Sequence, residues 1–344
     1  MRILLIGGTN FIGPPVVRHL CAMGHEVTVF HRGKTSAELP LEVNQIIGDR
    51  ANLPNFKREF ERVSPQVVLD MIPYTEQDAL TLMSTFKGIT QRIVAISSMD
   101  VYRAYSVLLG KEAEVVPIPL KEDSPLRQQL YPYRDRFDSN SEFDYENYEK
   151  ILVEKVVMSE PDLPGTILRL PMVYGSGDFQ HRLYSYLKRM DDNRPAIVLE
   201  ESIARWCGCY GYVENVAYGI ALAVIDERAS DRIYNIADSL SLTEAERIRN
   251  IGRIAGWNGE VVVVPKSQMP AEWKPIGNTE QHWIADTTRI RQELGYSEIV
   301  PLQEALLRSI EWQRAHPPEK PEESGGGWLL LDYATEDAIL TKLV

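Results

Sequence analysis

One junction near the N-terminus constrains this chain more than any other stretch. The apolar run Ile3–Ile6 breaks at Gly7-Gly8-Thr9-Asn10-Phe11-Ile12-Gly13 and passes into an amphipathic stretch, Pro14–Met23. That order predicts a strand, a tight turn and a helix N-terminus. Such a junction gathers backbone N–H groups and the positive end of a helix dipole at one point, which suits a pyrophosphate. Gly7 permits the sharp turn and Gly13 lets helix and strand pack closely. Pro14 and Pro15 fall in the first helical turn, where a missing N–H costs little. A purely structural turn uses the same glycines, so the motif gains its weight from standing at the head of a strand–helix series.

The series continues. Apolar runs recur at Val27–Phe30, Asn44–Ile47, Val67–Met71, Ile93–Ile96 and Thr166–Leu170, with helix patterns at Asn55–Val63 and Gln77–Phe86 between them. Short apolar runs separated by helices are what a parallel sheet buried on both faces requires. Right-handed crossovers then give an α/β, doubly wound parallel sheet of Rossmann type, whose ligand crevice lies beyond the carboxyl ends of its strands. Residues 1–175 are expected to form this domain, with 103–144 as a lid insert. Residues 176–315 carry helix patterns (Arg182–Met190, Val213–Val224, Leu242–Ala255, Leu302–Ala315) around short strands (Ile197–Leu199, Val261–Val264). They are expected to form a smaller, mostly helical substrate lobe over the crevice. His316–Gly327 is rich in Pro, Glu and Gly and reads as a linker. The tail it leads to, 328–344, is expected to dock through Trp328, Leu329, Leu330 and Leu331.

Composition narrows the function. Of 344 residues, 37 are Lys or Arg and 49 are Asp or Glu, a formal charge of −12. A surface that acidic repels phosphate backbones over most of its area, so bulk capture of RNA, DNA or anionic lipid is not expected. No apolar stretch reaches the roughly 18 residues of a membrane span, and the N-terminus has no signal-peptide pattern. The three cysteines, Cys21, Cys207 and Cys209, are an odd count with no disulfide framework, which suits a reducing cytoplasm. No His or Cys follows Cys207-Gly208-Cys209 at zinc spacing, so no metal site is expected.

The glycine loop with Phe11-Ile12 resembles the extended short-chain dehydrogenase/reductase superfamily, the NAD-dependent epimerase/dehydratase family. Asn10 stands where that family usually has glycine. The form with Asn10 is similar to the atypical branch that includes chloroplast stem-loop RNA-binding proteins. Asn tolerates a left-handed backbone better than most residues, so the turn survives. The resemblance runs in order through Ser97–Tyr102, Lys150 to Glu154, Arg169–Gly175, Tyr212–Ala217, Asp286 and Leu294–Tyr296, roughly residues 1–315.

The resemblance implies roles. Ser98 would bind the reacting oxygen, and Lys150 would hold the nicotinamide ribose and lower a phenol's pKa. The family places that tyrosine four residues before the lysine, and here the position is Glu146. Tyr145 and Tyr148 would lie about 140° and 160° round a helix from Lys150. Tyr145 serves as acid/base only if the helix begins at or just after it; otherwise Glu146 is expected to pair with Lys150. Cofactor contacts would come from Gly7, Thr9, Asn10, Phe11, Ile12, Gly13, Arg32, Asp49, Arg50, Met71, Ile72, Pro73, Ser97, Lys150, Pro171 and Val173. Arg32 and Lys34 after the second strand favour NADP over NAD, because an arginine there accommodates a 2′-phosphate; the plain alternative is solvated loop charge. Met99, Asp100, Tyr131, Arg134, His181 and Arg205 are candidate substrate contacts. The aromatic and arginine residues of the insert either stack on a ligand or anchor a lid.

Two functions remain. The first is an NAD(P)-dependent epimerase, dehydratase or reductase acting on a nucleotide sugar or another hydroxy or keto metabolite. The second is a non-catalytic nucleotide- or RNA-binding protein on the same scaffold. Either is expected to be a cytoplasmic homodimer, paired through a four-helix bundle of Gln77–Phe86 and Tyr145–Met158.

Overall fold

A computed structural model describes residues 1–35, 37–134, 143–274, 277–321 and 331–343. The first half runs β1 (Arg2–Ile6), α1 (Gly13–Ala22), β2 (Glu26–His31), β3 (Asn44–Ile47), α2 (Lys57–Val63), β4 (Val67–Asp70), α3 (Glu76–Phe86) and β5 (Arg92–Ser98). It continues through α4 (Arg103–Leu108), α5 (Lys150–Val157) and β6 (Gly165–Leu170). Then come β7 (Met172–Tyr174), α6 (Tyr184–Asp191), β8 (Ala196–Glu200), α7 (Glu201–Arg205), β9 (Tyr210–Tyr212), α8 (Val213–Ile225) and β10 (Arg232–Asn235). The chain ends with α9 (Glu244–Ala255), β11 (Glu260–Val264), α10 (Thr288–Leu294), α11 (Leu302–Ala315) and α12 (Tyr333–Leu343).

Seven strands form one parallel sheet in the order β10-β6-β5-β4-β1-β2-β3. The strand order reverses between β1 and β4, and the crevice expected of a doubly wound sheet opens there. Alternation along β1 explains the two-sided core. Ile3 and Leu5 pack with Val16, Val17 and Leu20 of α1 on one face. Leu4 and Ile6 pack with Phe60, Leu82 and Phe86 on the other. All four strand side chains are inaccessible to solvent, each contributing about 1.5–3 kcal/mol of burial.

The structure differs from the sequence reading in how the two parts divide. Residues 213–235, assigned above to the outer lobe, return to the sheet: β10 pairs with β6, and α8 packs on α1. The reason is visible in α8, where Val213, Val216, Ala217, Ile220, Ala221, Ala223 and Val224 are all buried. A helix apolar on nearly every side needs cover all round, which a place beneath a surface lobe does not give. The outer lobe is built from α6, α7, α9 and α11 around the pair β8–β11, with β7–β9 as a second small parallel pair.

Trp328, Leu329 and Leu330 lie outside the described residues. Beyond them α12 buries Ile339 against Val198, Val264 and Met269. Its Glu336 is wholly buried and pairs with the equally buried Arg189 of α6. All three cysteines are free thiols. Among the described residues, no helix is long and apolar enough to cross a membrane, and no group of His, Cys, Asp and Glu is arranged to hold a metal.

Candidate active site

The turn between β1 and α1 is built as a cradle. Gly7 and Gly8 have φ of +89° and +88°, a region that favours glycine. A Cβ at Gly13 would stand 2.4 Å from both the carbonyl carbon and the Cα of Gly8. The left-handed non-glycine residue is Phe11, with φ +44°, and not Asn10 as expected. Asn10 instead accepts at its carbonyl from the Gly13 N–H at 2.9 Å, which closes the turn, and its side chain faces solvent. The Phe11 ring meets Phe179 edge-on at 6.2 Å, and Gly177 lies over its backbone. Ile12 is the N-cap residue, and the first helical turn carries the prolines. The cradle therefore fits a dinucleotide's diphosphate, which the close approach at Gly13 leaves room for.

The rim beside it is charged and largely self-paired. At the end of β2, Arg32 and Lys34 are exposed, while His31 holds Gln45 at 2.9 Å. Asp49 caps a short 3-10 helix, Arg50–Phe56, by accepting from Ala51 N at 3.0 Å. Arg50 reaches the fully buried Asp70 at the end of β4 and Asp78 of α3 at 3.0 Å. Burial pushes the Asp70 carboxyl up and the Arg50 guanidinium opposes that shift. Met71 and Ile72 are half-buried beside Gly7, their atoms 3.3 and 3.5 Å from where its Cβ would sit. A cavity of about 470 Å³ opens outside this rim, between Arg50, Thr75, Asp78, Tyr131 and Asn147.

The reactive groups gather at the carboxyl end of β5. Helix α5 begins at Lys150 because Glu149 caps it, accepting from Ile151 N at 2.9 Å. Glu149 is itself pinned from the insert by Arg127 at 2.9 Å and by the Tyr131 N–H, with both members of the ion pair buried. Tyr145 and Tyr148 thus precede the helix, and helical angles measured from Lys150 do not apply to them. The Tyr148 hydroxyl donates to Asp100 Oδ2 at 2.9 Å, and the backbone N–H of the same Asp100 donates to the Ser98 hydroxyl at 3.2 Å. Tyr145 sits in the preceding turn, half-buried, its ring 4.6 Å from Phe143 and 6.1 Å from Tyr133. Tyr148 and Ser98 thus share Asp100, through its carboxyl and its N–H. Nor does Glu146 pair with Lys150. It is exposed and pairs with Arg134 at 2.8 Å.

Lys150 is 3% exposed and donates to Pro73 O at 2.7 Å and Ile96 O at 2.9 Å. Its ammonium also lies 4.8 Å above the Tyr74 ring, a cation–π distance. Burial pulls its pKa down to about 8, against the opposing pull of Asp100 and Asp70. Burial raises the Asp100 carboxyl, with Arg127 opposing. Burial and the neighbouring Asp100 both push the Tyr148 phenol well above its ordinary range. The set presents a neutral phenol and a serine hydroxyl side by side, which can hold a substrate oxygen and give it a proton.

The matching family model is the NAD dependent epimerase/dehydratase family, over residues 3–237. The chain belongs to this family. It is 24% identical over 296 residues to 2′-dehydrokanamycin reductase of Streptomyces kanamyceticus, covering 84% of this chain and 75% of that one. It is 23% identical to the chloroplast stem-loop binding protein of 41 kDa b of Arabidopsis thaliana, covering 99% and 84%. Among solved structures, the Bordetella bronchiseptica enzyme WbmG in complex with NAD and UDP superposes with a TM-score of 0.63 at 17% identity, covering 92% of this chain and 95% of that one.

In this epimerase/dehydratase chain several expected contacts are committed elsewhere. Ser97 is buried and donates to Glu154 at 2.6 Å, and Glu154 also holds Arg169 at 2.7 Å. Ser97 therefore braces the sheet, in place of its expected cofactor contact. Met99 is wholly buried in the core beside Val101 and Trp206, which removes it from the substrate contacts. His181 accepts or donates to Gln313 and stacks on Trp312, so it belongs to the packing of α11. Arg205 is exposed on α7, 3.8 Å from Glu201. Pro171 is half-buried after β6, and the Val173 carbonyl accepts from Arg182 at 2.7 Å. In the insert, the Arg134 guanidinium lies 4.0 Å over the Tyr131 ring. Tyr133, which the sequence reading named only as part of the lid, donates to Asp100 Oδ2 at 3.0 Å. No spacing rule finds Tyr133 or Tyr148. The available signal was Glu149 as a helix cap, and Glu is outside the residues that cap most strongly.

Proposed function

We propose that this protein is an NAD(P)-dependent oxidoreductase or epimerase acting on a nucleotide sugar or another hydroxy or keto metabolite. The observation that carries the reading is the convergence of the Gly7–Gly13 cradle and the Ser98–Tyr148–Lys150 group on the carboxyl edge of one sheet. Ser98 holds the substrate oxygen, and Tyr148 takes the acid/base role that the sequence reading gave to Tyr145. Lys150 fixes the nicotinamide ribose from its seat on the Pro73 and Ile96 carbonyls. A bound nicotinamide supplies hydride transfer at the substrate carbon. Pro171 and Val173 close the crevice on the far side, and Arg32 with Lys34 favours a 2′-phosphate. The expected homodimer would pair α3 and α5, whose outer faces carry Leu80, Leu152 and Val156 at least partly exposed. A fluorescence titration with NADPH and NADH tests the reading. Binding of either at micromolar concentration supports it, and no binding at millimolar concentration overturns it.

A second reading, RNA binding, is favoured by the likeness to the stem-loop binding protein over nearly the whole chain. The acidic surface opposes it. A salt-sensitive shift of a labelled RNA hairpin supports this reading, and no shift at low salt removes it.

A further inference from the structure

Four side chains form a continuous hydrogen-bonded path into the site. The Tyr105 hydroxyl of α4 reaches the Tyr133 hydroxyl at 3.2 Å, and Tyr133 reaches Asp100 Oδ2 at 3.0 Å. Tyr148 reaches the same oxygen at 2.9 Å, and the Asp100 N–H donates to the Ser98 hydroxyl at 3.2 Å. Tyr105 is half-buried at the outer end, while Asp100 is 2% exposed. Asp100 Oδ1 is buried and, among the described residues, has no hydrogen-bond partner.

The cations nearest Asp100 are committed elsewhere. Arg127 pairs with Glu149, and its Nε donates to the Asp100 backbone carbonyl rather than to the carboxyl. Lys150 points at the carbonyls of Pro73 and Ile96. The groups facing the carboxyl are therefore Arg127 and Tyr133 from the insert, Tyr148 and Lys150 at the start of α5, and Ser98 from β5. None of them forms an ion pair with it among the described residues. A buried carboxyl with one oxygen unpaired among the described residues and no cation of its own favours its neutral form.

We propose that Tyr105, Tyr133, Asp100 and Tyr148 form a proton relay that recharges the site phenol, and that the reaction it serves is reduction of a substrate ketone or aldehyde. The inference rests on the oxidoreductase reading above. A reduced nicotinamide, when bound, would supply the hydride for the new C–H bond at the carbonyl carbon. The carbonyl oxygen takes the Tyr148 proton, leaving a phenolate. The Asp100 carboxyl proton passes to that phenolate, and Asp100 regains a proton through Tyr133 and Tyr105 from solvent. The sum is carbonyl plus reduced nicotinamide plus one proton, giving alcohol plus oxidised nicotinamide. The insert, on this account, supplies a relay hydroxyl.

The test needs no substrate at its first stage. Infrared spectra of the whole protein at pH 7 should show a carboxylic acid band that is missing in Asp100→Asn. The band should move in both Tyr148→Phe and Tyr133→Phe. No Asp100-dependent band, or a band indifferent to both tyrosine variants, overturns the relay. At the second stage, NADPH oxidation is followed with a panel of keto sugars. Tyr133→Phe should lower kcat several-fold, increasingly so as pH rises, at unchanged KM. A confirmed band with turnover only in the alcohol-oxidising direction overturns the reductive assignment and leaves the oxidoreductase reading standing. Absence of any nicotinamide binding overturns that reading separately.

Discussion

Replacing Gly13 by alanine tests the cradle directly. The added methyl carbon would stand 2.4 Å from two backbone carbons of Gly8 and 2.6 Å from its carbonyl oxygen. Carbon atoms rest at about 3.5–4.0 Å, so the gap falls short by more than about 1 Å. Backbone cannot swing aside as a side chain does. Either α1 is pushed off the sheet or the Gly7–Ile12 loop moves by a comparable distance. Overpacking of this kind costs about 1–3 kcal/mol of stability. A loop moved that far also misaligns the N–H groups aimed at the diphosphate. Each charge-assisted hydrogen bond lost is worth about 1.5–3 kcal/mol, or roughly a ten- to hundred-fold rise in Kd. The assay pairs urea unfolding with fluorescence titration of NADPH and NADH. Gly256→Ala serves as the control. Gly256 ends α9 with φ +77°, and nothing lies within 4 Å of the methyl it would gain. It should lose about 1–2 kcal/mol of stability through backbone strain alone and keep its Kd. If Gly13→Ala binds coenzyme as the wild type does, or Gly256→Ala weakens binding equally, the reasoning is wrong.

Three further outcomes are expected. Lys150 has a folded pKa of about 8 against an ordinary 10.5, so between these values the unfolded chain binds more protons and stability rises with pH. About 1.5 kcal/mol of that gain should appear in urea unfolding between pH 8 and 9.5 and be absent in Lys150→Met; an identical slope in both proteins refutes the burial argument. Arg32→Ala should weaken NADPH about tenfold by loss of one charge-assisted hydrogen bond while NADH stays within about twofold, and equal losses for both coenzymes would count against a 2′-phosphate contact. Glu336→Ala leaves Arg189 buried without its carboxylate, a loss of about 3–5 kcal/mol; hydrogen exchange should show α12 released first, and unchanged protection there would mean that the pair does not anchor the tail.

Much of this architecture was legible because one rule covers it. A strand buried on both faces must be apolar throughout, and β1, β2, β4, β5 and β6 announce themselves that way with their order intact. The glycine turn was equally plain, since φ near +90° at Gly7 and Gly8 and the contact at Gly13 leave few other residues possible. What escaped the sequence are features decided by partners distant along the chain. Helix α8 reads as an ordinary lobe helix until the need to cover every side sends it back to the sheet. The start of α5 depends on Glu149, and Glu149 is held there by Arg127 and the Tyr131 N–H, 22 and 18 residues away. Spacing rules count residues along a regular helix, so a tyrosine two positions before Lys150 looked unusable. Starting the helix at Lys150 removes the premise: Tyr148 lies before the first turn, and its hydroxyl reaches Asp100. The insert that holds Glu149 at the start of α5 also delivers Tyr133 to the carboxyl that Tyr148 reaches. The long insert and the segment before Lys150 thus meet at one side chain, Asp100.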